Sequence, residues 1–493
     1  MKRILLSFSA LWLLLPGPLR VAAQEQGIAR VFTLAQVVQL AKEQSPSFRH
    51  ATVSLENRQW SYKSWRSNSL PQLNLSGTLP EYNKRIQPVL QNDGSLIFRP
   101  THNANSSLNL SLGQEVWFTG GYISINSQIN RLDDFKPDAT IRQQYSSIPA
   151  TITLNQPFFN FNYRAWDRKI QPLWFEEAKG EYWEDLEEIG VNATDHFFNL
   201  LLSQKSFQIA QKNVANNDTL FKIGQSRYQQ GKIAENELLQ MELNLMNSRS
   251  NLEQTTLDVE SGTLRLKVFL GLVDEDPIVL VPPYEIPDFK VDEKFALEQA
   301  HKNRPRIIAF KRQLIEAERQ VAQVKGETGL NGNFFASFGL TQQSKDFVEA
   351  YQDPSRQQQL RIGFSMPVMD WGRTEARLGT AKANSELTKF NIEQQRINFD
   401  QDIYLNIKRF KVLRSQMAVA KRTDEVAERR YNITRDRYYN GEIGILDLNI
   451  ATEERDKASR NYIAALRSFW WAYHHLRRLT LYDFELKQAI PQN

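Results

Sequence analysis

Two short stretches of this chain have nearly the same sequence, RYQQGKI at 227–233 and RYYNGEI at 437–443. Each is followed by an acidic residue and a leucine, at 237–238 and at 447–448, and all these positions match at an offset of 210 residues. Each stretch has the pattern of a helix end, a break at glycine and the start of a returning helix. A helical turn that occurs twice in this way indicates that the chain is built from a duplicated unit.

Long helices are predicted on both sides of these breaks. Apolar residues recur at seven-residue steps over 186–221, 238–266, 403–431 and 448–476, and Arg455 interrupts the last row. Such spacing is typical of coiled-coil packing. Because stripes on helices this long cannot all be covered within one hairpin, we expect them to pack against neighbouring helices.

The first long helix is predicted to run from about Trp166 to Arg227, roughly 90 Å at ~1.5 Å per residue. An earlier helix should follow an N-cap at Thr33, break at Pro46 and resume to about Asn68. Its counterpart in the second copy is 295–326, where Pro305 takes the place of Pro46.

Between the early and the long helices the hydrophobic period changes to that of strands. Polar and apolar residues alternate in six segments: 72–79, 107–112, 122–126, 151–156, 331–340 and 360–365. The polar partners are mostly Asn, Ser, Thr and Gly, which suits a wall with lipid on one face and water on the other. From the strand pattern alone, an ordinary periplasmic sheet is the alternative.

The first copy is longer than the second. The offset between matching positions falls from 259 at Pro46 and Pro305 to 210 beyond the strands, so the first copy has 49 extra residues. Gly120 and Gly121 predict a tight turn, and a hairpin with its loops at that turn accounts for the extra length.

The first residues have the pattern of a secretory signal, with a basic start, an apolar segment over 4–15 and small residues before a cleavage site at Ala23. Without residues 1–23, which contain three basic and no acidic residues, the formal charge falls from +5 to +2. The charges are interspersed in sign, which favours solvated helices over a nucleic-acid surface. The chain has no cysteine, which excludes disulfides, thiol catalysis and cysteine–zinc sites.

These patterns predict a mainly α fold with a transmembrane β part, built from a duplicated unit of strands and a long-helix hairpin. We expect a signal peptide at 1–23, a first structural repeat at 24–272, an inter-repeat linker at 273–293, a second repeat at 294–482 and a C-terminal tail at 483–493.

No grouping of residues indicates an enzyme or a cofactor site. His474 and His475 are adjacent on a predicted helix and point in different directions, so a solvated helix face is expected rather than a metal site. No Ser/His/Asp arrangement, paired carboxylates or phosphate loop stands out from the background of charged residues.

The order of a signal peptide, a helix, strands, a long helix, a Tyr-x-x-Gly turn and a returning helix, occurring twice, resembles the TolC-like outer membrane factors. The resemblance covers nearly all of the chain after the signal. It implies a homotrimer whose strands join into one β-barrel in outer-membrane lipid and whose helices form an α-helical tunnel through the periplasm. It also implies two partners, a periplasmic adaptor (membrane fusion) protein and an inner-membrane pump of the RND, ABC or MFS type. The implied function is the exit duct of a tripartite efflux pump or type I secretion system.

The resemblance also assigns the two turns to a periplasmic tip that closes the tunnel and docks the adaptor. The tip residues expected from it are Arg227, Tyr228, Gly231, Glu237, Arg437, Tyr438, Gly441, Glu442 and Asp447. Tyr438 and Asp447 fall on gate positions that pair with charged groups in the family. Two family residues are replaced here, by Ile443 and Ile450, which leaves the gate pairing open.

Two further alternatives stay open. The family usually has four strands per chain, and the hairpin at 120–121 would raise this to six, or eighteen around a trimer. In the alternative, the hairpin extends outside the membrane and the barrel keeps the usual size. The second alternative concerns function, because a periplasmic coiled-coil scaffold with a small β-domain would also have long amphipathic helices and a few strands.

Overall fold

The structure is a computed structural model that describes residues 30–136, 138, 140–274 and 276–490. The predicted signal peptide therefore lies outside the described residues.

The chain passes twice through the same order of elements. The first pass contains β1 (Arg30–Thr33), α1 (Leu34–Gln44), α2 (Pro46–Asn68), β2 (Gln72–Leu90), β3 (Leu96–Val116), β4 (Gly121–Phe135), β5 (Ile141–Phe158), α3 (Tyr163–Gln229) and α4 (Glu235–Leu270). The second contains β6 (Ile278–Val281), α5 (Glu293–Asn303), α6 (Pro305–Thr328), β7 (Asn331–Ser344), β8 (Ser355–Ser365), α7 (Arg373–Tyr439) and α8 (Ile445–Thr480), and β9 (Tyr482–Asp483) and β10 (Gln488–Ala489) follow. Helices α3 and α7 both have 67 residues, and α4 and α8 both have 36, so the predicted duplication is confirmed.

The early helices begin and break as predicted. Thr33 caps α1 in a capping box with Gln36, in which each side chain binds the other residue's backbone amide. The hydroxyl of Ser45 accepts a bond from the amide of Phe48 at 3.0 Å and caps α2, whose first residue is Pro46. Proline is suited to this first position because it has no amide hydrogen to donate.

The long helices bury the predicted heptad rows. At 67 residues, α3 is about 100 Å long. It packs on α4 and α8, and α7 packs on α8. Buried members of the rows are Leu186, Ala193, Leu200, Leu245, Leu266, Ile403, Phe410, Met417, Tyr431, Leu448, Tyr462, Phe469 and Leu476. The hairpins are therefore joined by coiled-coil seams within one chain.

The predicted strands form one antiparallel sheet of six strands in the described part of the chain, in the order β2-β3-β4-β5-β7-β8. The turn at Gly120 joins β3 to β4, and β4 and β5 lie in the middle of the sheet. Of the two strand counts left open by the sequence, the structure has six per chain.

The sheet has one polar and one apolar face, as its alternation predicted. Directly opposed residues follow two adjacent lines across all six strands. The first line is Gln72, Gly113, Ser124, Thr153, Ser337 and Gln359, and the second is Leu73, Leu112, Ile125, Ile152, Phe338 and Gln358. The five apolar residues of the second line are all exposed. An exposed apolar sheet face of this extent is a surface for lipid or for another protein.

Three expectations from the sequence are corrected by the structure. The predicted linker contains β6, which pairs in parallel with β1. The C-terminal tail forms the β9–β10 hairpin and buries Asp483 and Phe484. His474, expected on a solvated face, lies on a buried face of α8. The β1–β6 pairing and the contact of Phe484 with Phe289 join segments far apart in the chain, which the local sequence does not reveal.

A buried ion-pair cluster joins the early helix to the long hairpins. Glu187 on α3 is 2% exposed, and its carboxylate lies 2.5 Å from Lys42 Nζ and 3.0 Å from Arg477 Nε. Arg477 also pairs with Asp483 of the C-terminal hairpin. Burial would raise the pKa of Glu187, but the two cations outweigh it and lower the pKa. The cluster therefore holds four separate segments of the chain in place.

None of the described helices is both long and apolar enough to cross a membrane.

Candidate functional site at the two helical turns

The two turns that connect the long helices have the same backbone geometry. In the first turn the amide of Gly231 donates to the carbonyl of Tyr228 at 2.8 Å, and the amide of Lys232 donates to the carbonyl of Arg227 at 2.9 Å. The equivalent two bonds in the second turn are both 3.0 Å. This pair of bonds is the Schellman motif, which satisfies the free carbonyls at a helix end.

The glycines are required by backbone conformation. Gly231 has φ of 67° and Gly441 has φ of 78°, a left-handed conformation that strains other residues. A Cβ atom at either position would meet no atom within 4 Å. Within the described chain the requirement for glycine therefore comes from the backbone conformation and not from close packing.

The tyrosines of the two turns differ in environment. Tyr228 is 41% exposed, whereas Tyr438 is 3% exposed. Tyr438 belongs to an apolar cluster below the turns, formed with Leu220, Met241, Tyr431, Ile445 and Leu448. Its hydroxyl has no hydrogen-bond partner among the described residues. The duplicated sequence motif thus forms one buried and one exposed tyrosine.

Arg227 connects the first turn to the second. Its guanidinium carbon lies 5.5 Å from the ring centroid of Tyr438, and Nη2 donates to the carbonyl of Tyr439 at 3.4 Å. Cations are favoured at a helix C-terminus, where the last carbonyls are free. Burial raises the pKa of Tyr438. The positive charge of Arg227 lowers this pKa, and the negative charge of Glu237 raises it. The structure therefore brings together Arg227 and Tyr438, two of the predicted tip residues.

The other charged tip residues lie on the surface. Arg437 and Glu442 form an exposed ion pair, with Nε 3.0 Å from Oε2. The Arg437 guanidinium lowers the pKa of Glu442 through this bond. Asp447 lies exposed in the first turn of α8 and makes no ion pair within the described chain.

A buried polar cluster lies just above the apolar one. Arg455 donates to Asp456 at 2.6 Å and to Asn213 at 3.2 Å, and its guanidinium carbon lies 4.0 Å from the ring centroid of Tyr431. Asn213 in turn donates to Asp456 at 2.6 Å. Sequence reasoning did not include these residues in the site, although the break of the heptad row at Arg455 was a signal for them. Among the described residues, no group of three His, Asp or Glu side chains is arranged to hold a metal ion.

The family model of the outer membrane efflux proteins matches residues 37–272 and 296–480, and the chain belongs to this family. The two matched segments each contain one of the turns. The family is one of efflux proteins rather than a class of enzymes, and its members reside in the outer membrane. No curated protein matches the chain significantly.

Solved outer membrane channels have a similar fold at low sequence identity. The CmeC channel of Campylobacter jejuni is 16% identical with a TM-score of 0.65, over 93% of this chain and 87% of that chain. VceC of Vibrio cholerae is 13% identical with a TM-score of 0.61, over 92% and 96%. The MtrE channel of Neisseria gonorrhoeae, solved in its open state, is 14% identical with a TM-score of 0.60, over 93% of this chain and 91% of that chain. The TolC-like architecture predicted from the sequence is confirmed.

Proposed function

We propose that this protein is a passive exit duct of a tripartite efflux pump or type I secretion system. It would conduct small molecules or polypeptides from a periplasmic adaptor and an inner-membrane pump to the exterior. One observation carries the proposal: a sheet with one exposed apolar face continues directly into helical hairpins about 100 Å long. Such a chain has one part suited to lipid and another suited to spanning an aqueous compartment.

Exposed heptad rows support a homotrimer. One row on α7 is more than half exposed at every member: Leu405, Val412, Val419, Val426 and Ile433. Leu243, Leu257 and Leu264 form a similar row on α4, and all three are exposed. Apolar stripes of this length need a partner helix, and neighbouring copies of the chain would supply it. Three copies would then enclose a tunnel.

In this proposal the repeats 24–272 and 294–482 supply equivalent halves of the tunnel wall. The sheets of three copies close into one barrel in the outer membrane, because lipid leaves no partner for an open sheet edge. The helices extend into the periplasm. Direction and selectivity come from the pump, which would be of the RND, ABC or MFS type.

The two turns would form the periplasmic tip, with an internal and an external set of residues. Arg227 and Tyr438 connect the two turns within one copy, and the charge of Glu237 acts on Tyr438. The residues available to neighbouring copies and to the adaptor are Tyr228, Arg437, Glu442 and Asp447, and Gly231 and Gly441 keep the turns compact. Asp447 would help close the resting tip through contacts between copies.

The test is single-channel conductance in planar bilayers for Asp447→Ala, with Asp258→Ala as the matched control. Asp258 is an exposed acid on α4, far from the turns along the helix. We expect Asp447→Ala to open more often or to a larger conductance, and Asp258→Ala to match the unchanged protein. Equal conductance in all three proteins would show that Asp447 does not help close the tip.

A further inference from the structure

The sheet has two open edges, and both carry exposed apolar side chains. Within the described residues β2 pairs only with β3, and β8 pairs only with β7. Leu75 on β2 is 71% exposed and Ile362 on β8 is 72% exposed, whereas Ile123 on the interior strand β4 is 41% exposed. The edge residues lack a neighbour on one side. In lipid their free backbone groups would find no hydrogen-bond partner, which is strongly unfavourable.

Neither edge has the features that keep edge strands from pairing. Residues 72–79 of β2 and 358–365 of β8 contain no proline, and their apolar faces contain no charge. The first proline of β2, Pro80, lies beyond this stretch at an irregularity of the β2–β3 register. Protected edges carry prolines, inward charges or bulges along the strand. These two stretches are therefore suited to receive another strand.

The register across the sheet sets how two copies can meet. The line of directly opposed residues that starts at Gln72, the first residue of β2, reaches β8 at Gln359. Gln359 is six residues before Ser365, the last residue of β8. In a closed sheet, a shift of six residues along the strand direction, at ~3.3 Å each, across six strands ~4.8 Å apart corresponds to a strand tilt of about 35°. Closed barrels have tilts of about 35–45°.

From these observations we infer that β8 of one copy pairs antiparallel with β2 of the next, with Ser365 opposite Gln72 and Ile362 opposite Leu75. This inference rests on the proposed trimer and adds the register and the strand number. In this register the end of β8 that leads into α7 and the start of β2 that follows α2 lie at the same height along the barrel. The apolar residues of β8, at even positions, also meet those of β2, at odd positions, on the same face of the sheet.

Three copies joined in this way form a closed sheet of eighteen strands. At ~4.8 Å per strand and this tilt, its backbone diameter is about 33 Å. Barrels of about this strand number enclose an aqueous channel rather than a packed core. The outer-membrane opening would therefore accommodate bulky or polypeptide cargo, and the narrowest part of the duct would lie at the helical turns.

Engineered cysteines test the register directly, because the chain contains no cysteine of its own. The test variant combines Leu75→Cys with Ile362→Cys. Four strands separate these positions within one chain, about 24 Å, so any disulfide between them must join two copies. The control combines Leu75→Cys with Gln358→Cys, which moves the second cysteine about 13 Å along the same face. A second control, Leu73→Cys with Leu112→Cys, places both cysteines opposite each other on β2 and β3 of one chain.

After oxidation, non-reducing gels should show linked dimers and trimers for the test variant and monomers for the displaced control. Loss of free thiols in the β2–β3 control would confirm that the sheet folds and that oxidation is complete. A conducting trimer without the 75–362 link, or with an equally strong 75–358 link, would overturn the register while leaving the duct intact. Absence of both trimer and conductance would overturn the proposed function as well.

Discussion

The guanidinium carbon of Arg227 lies 5.5 Å from the ring centroid of Tyr438, which joins the first helical turn to the second within a single chain. Arg227 also binds the carbonyl of Tyr439, at the C-terminal end of α7. The two copies of the duplicated unit are thus connected at the end farthest from the sheet. Movement of one turn should therefore be coupled to movement of the other.

Replacing Arg227 by glutamine should loosen both turns. A cation–aromatic contact of this kind contributes about 0.5–1 kcal/mol at an exposed site, so amide hydrogen exchange in both turns should rise about two- to fivefold. The control is Arg437→Gln, which breaks an exposed pair with Glu442 and should affect only the second turn. Faster exchange confined to the first turn in Arg227→Gln would contradict the coupling.

The ring of Tyr438, rather than its hydroxyl, should stabilise the second turn. The buried hydroxyl has no partner in the described chain, so Tyr438→Phe should leave the apparent unfolding midpoint unchanged or slightly raised. Tyr438→Ala removes the ring from the apolar cluster and should cost about 3 kcal/mol. If phenylalanine were as damaging as alanine in thermal unfolding, the hydroxyl would have a partner supplied by another chain.

Glu187 should be among the least replaceable charged residues of the chain. Glu187→Gln removes the buried anion shared by Lys42 and Arg477, leaves Arg477 with Asp483 alone and should cost about 3–5 kcal/mol. The control is Asp195→Asn, which breaks the more exposed pair with Arg467 and should cost about 1 kcal/mol or less. Urea unfolding of the detergent-solubilised protein measures both changes. Equal losses in the two variants would contradict the proposed importance of burial.

His474 should make the fold sensitive to acid. Burial, followed by the positive charges of Lys42 and Arg477, lowers its pKa to about 3, while Glu187 opposes them. Below pH ~6.5 the unfolded chain gains a proton at this residue that the folded chain does not, so stability falls by up to ~1.4 kcal/mol per pH unit. The lowered pKa of Glu187 acts in the same direction, since its stabilisation is also lost as pH falls.

His474→Gln should therefore lose less stability than the unchanged protein between pH 6.5 and pH ~4.5. The comparison uses the slope of the unfolding temperature against pH, which does not depend on any constant loss caused by the substitution. His50→Gln, at an exposed histidine of α2, should keep the original slope. Parallel slopes for all three proteins would show that His474 is not the acid-sensitive group.

The repeat, the helix breaks and the alternation of the sheet could be predicted because each depends on residues close together in sequence. Gly231 and Gly441 mark turns that only a residue free to adopt positive φ closes without strain. Pro46 and Pro305 mark helix breaks for an equally local reason. The two-faced sheet follows from a period of two.

The remaining features depend on segments far apart in the chain. Tyr228 and Tyr438 occupy the same position of the repeat, yet only Tyr438 is covered, because the cluster around it draws residues from four helices. Arg455 looked like a break in a seam, and its partner Asn213 lies 242 positions away. No local pattern distinguishes such a buried polar cluster from a solvated charge.

Cell fractionation followed by planar-bilayer recording of the detergent-purified protein tests the central claim most directly. The account predicts an outer-membrane protein that requires detergent, has the mass of three chains and conducts through rare openings in the resting state. A soluble periplasmic protein without conductance would contradict the duct and leave a coiled-coil scaffold as the better description.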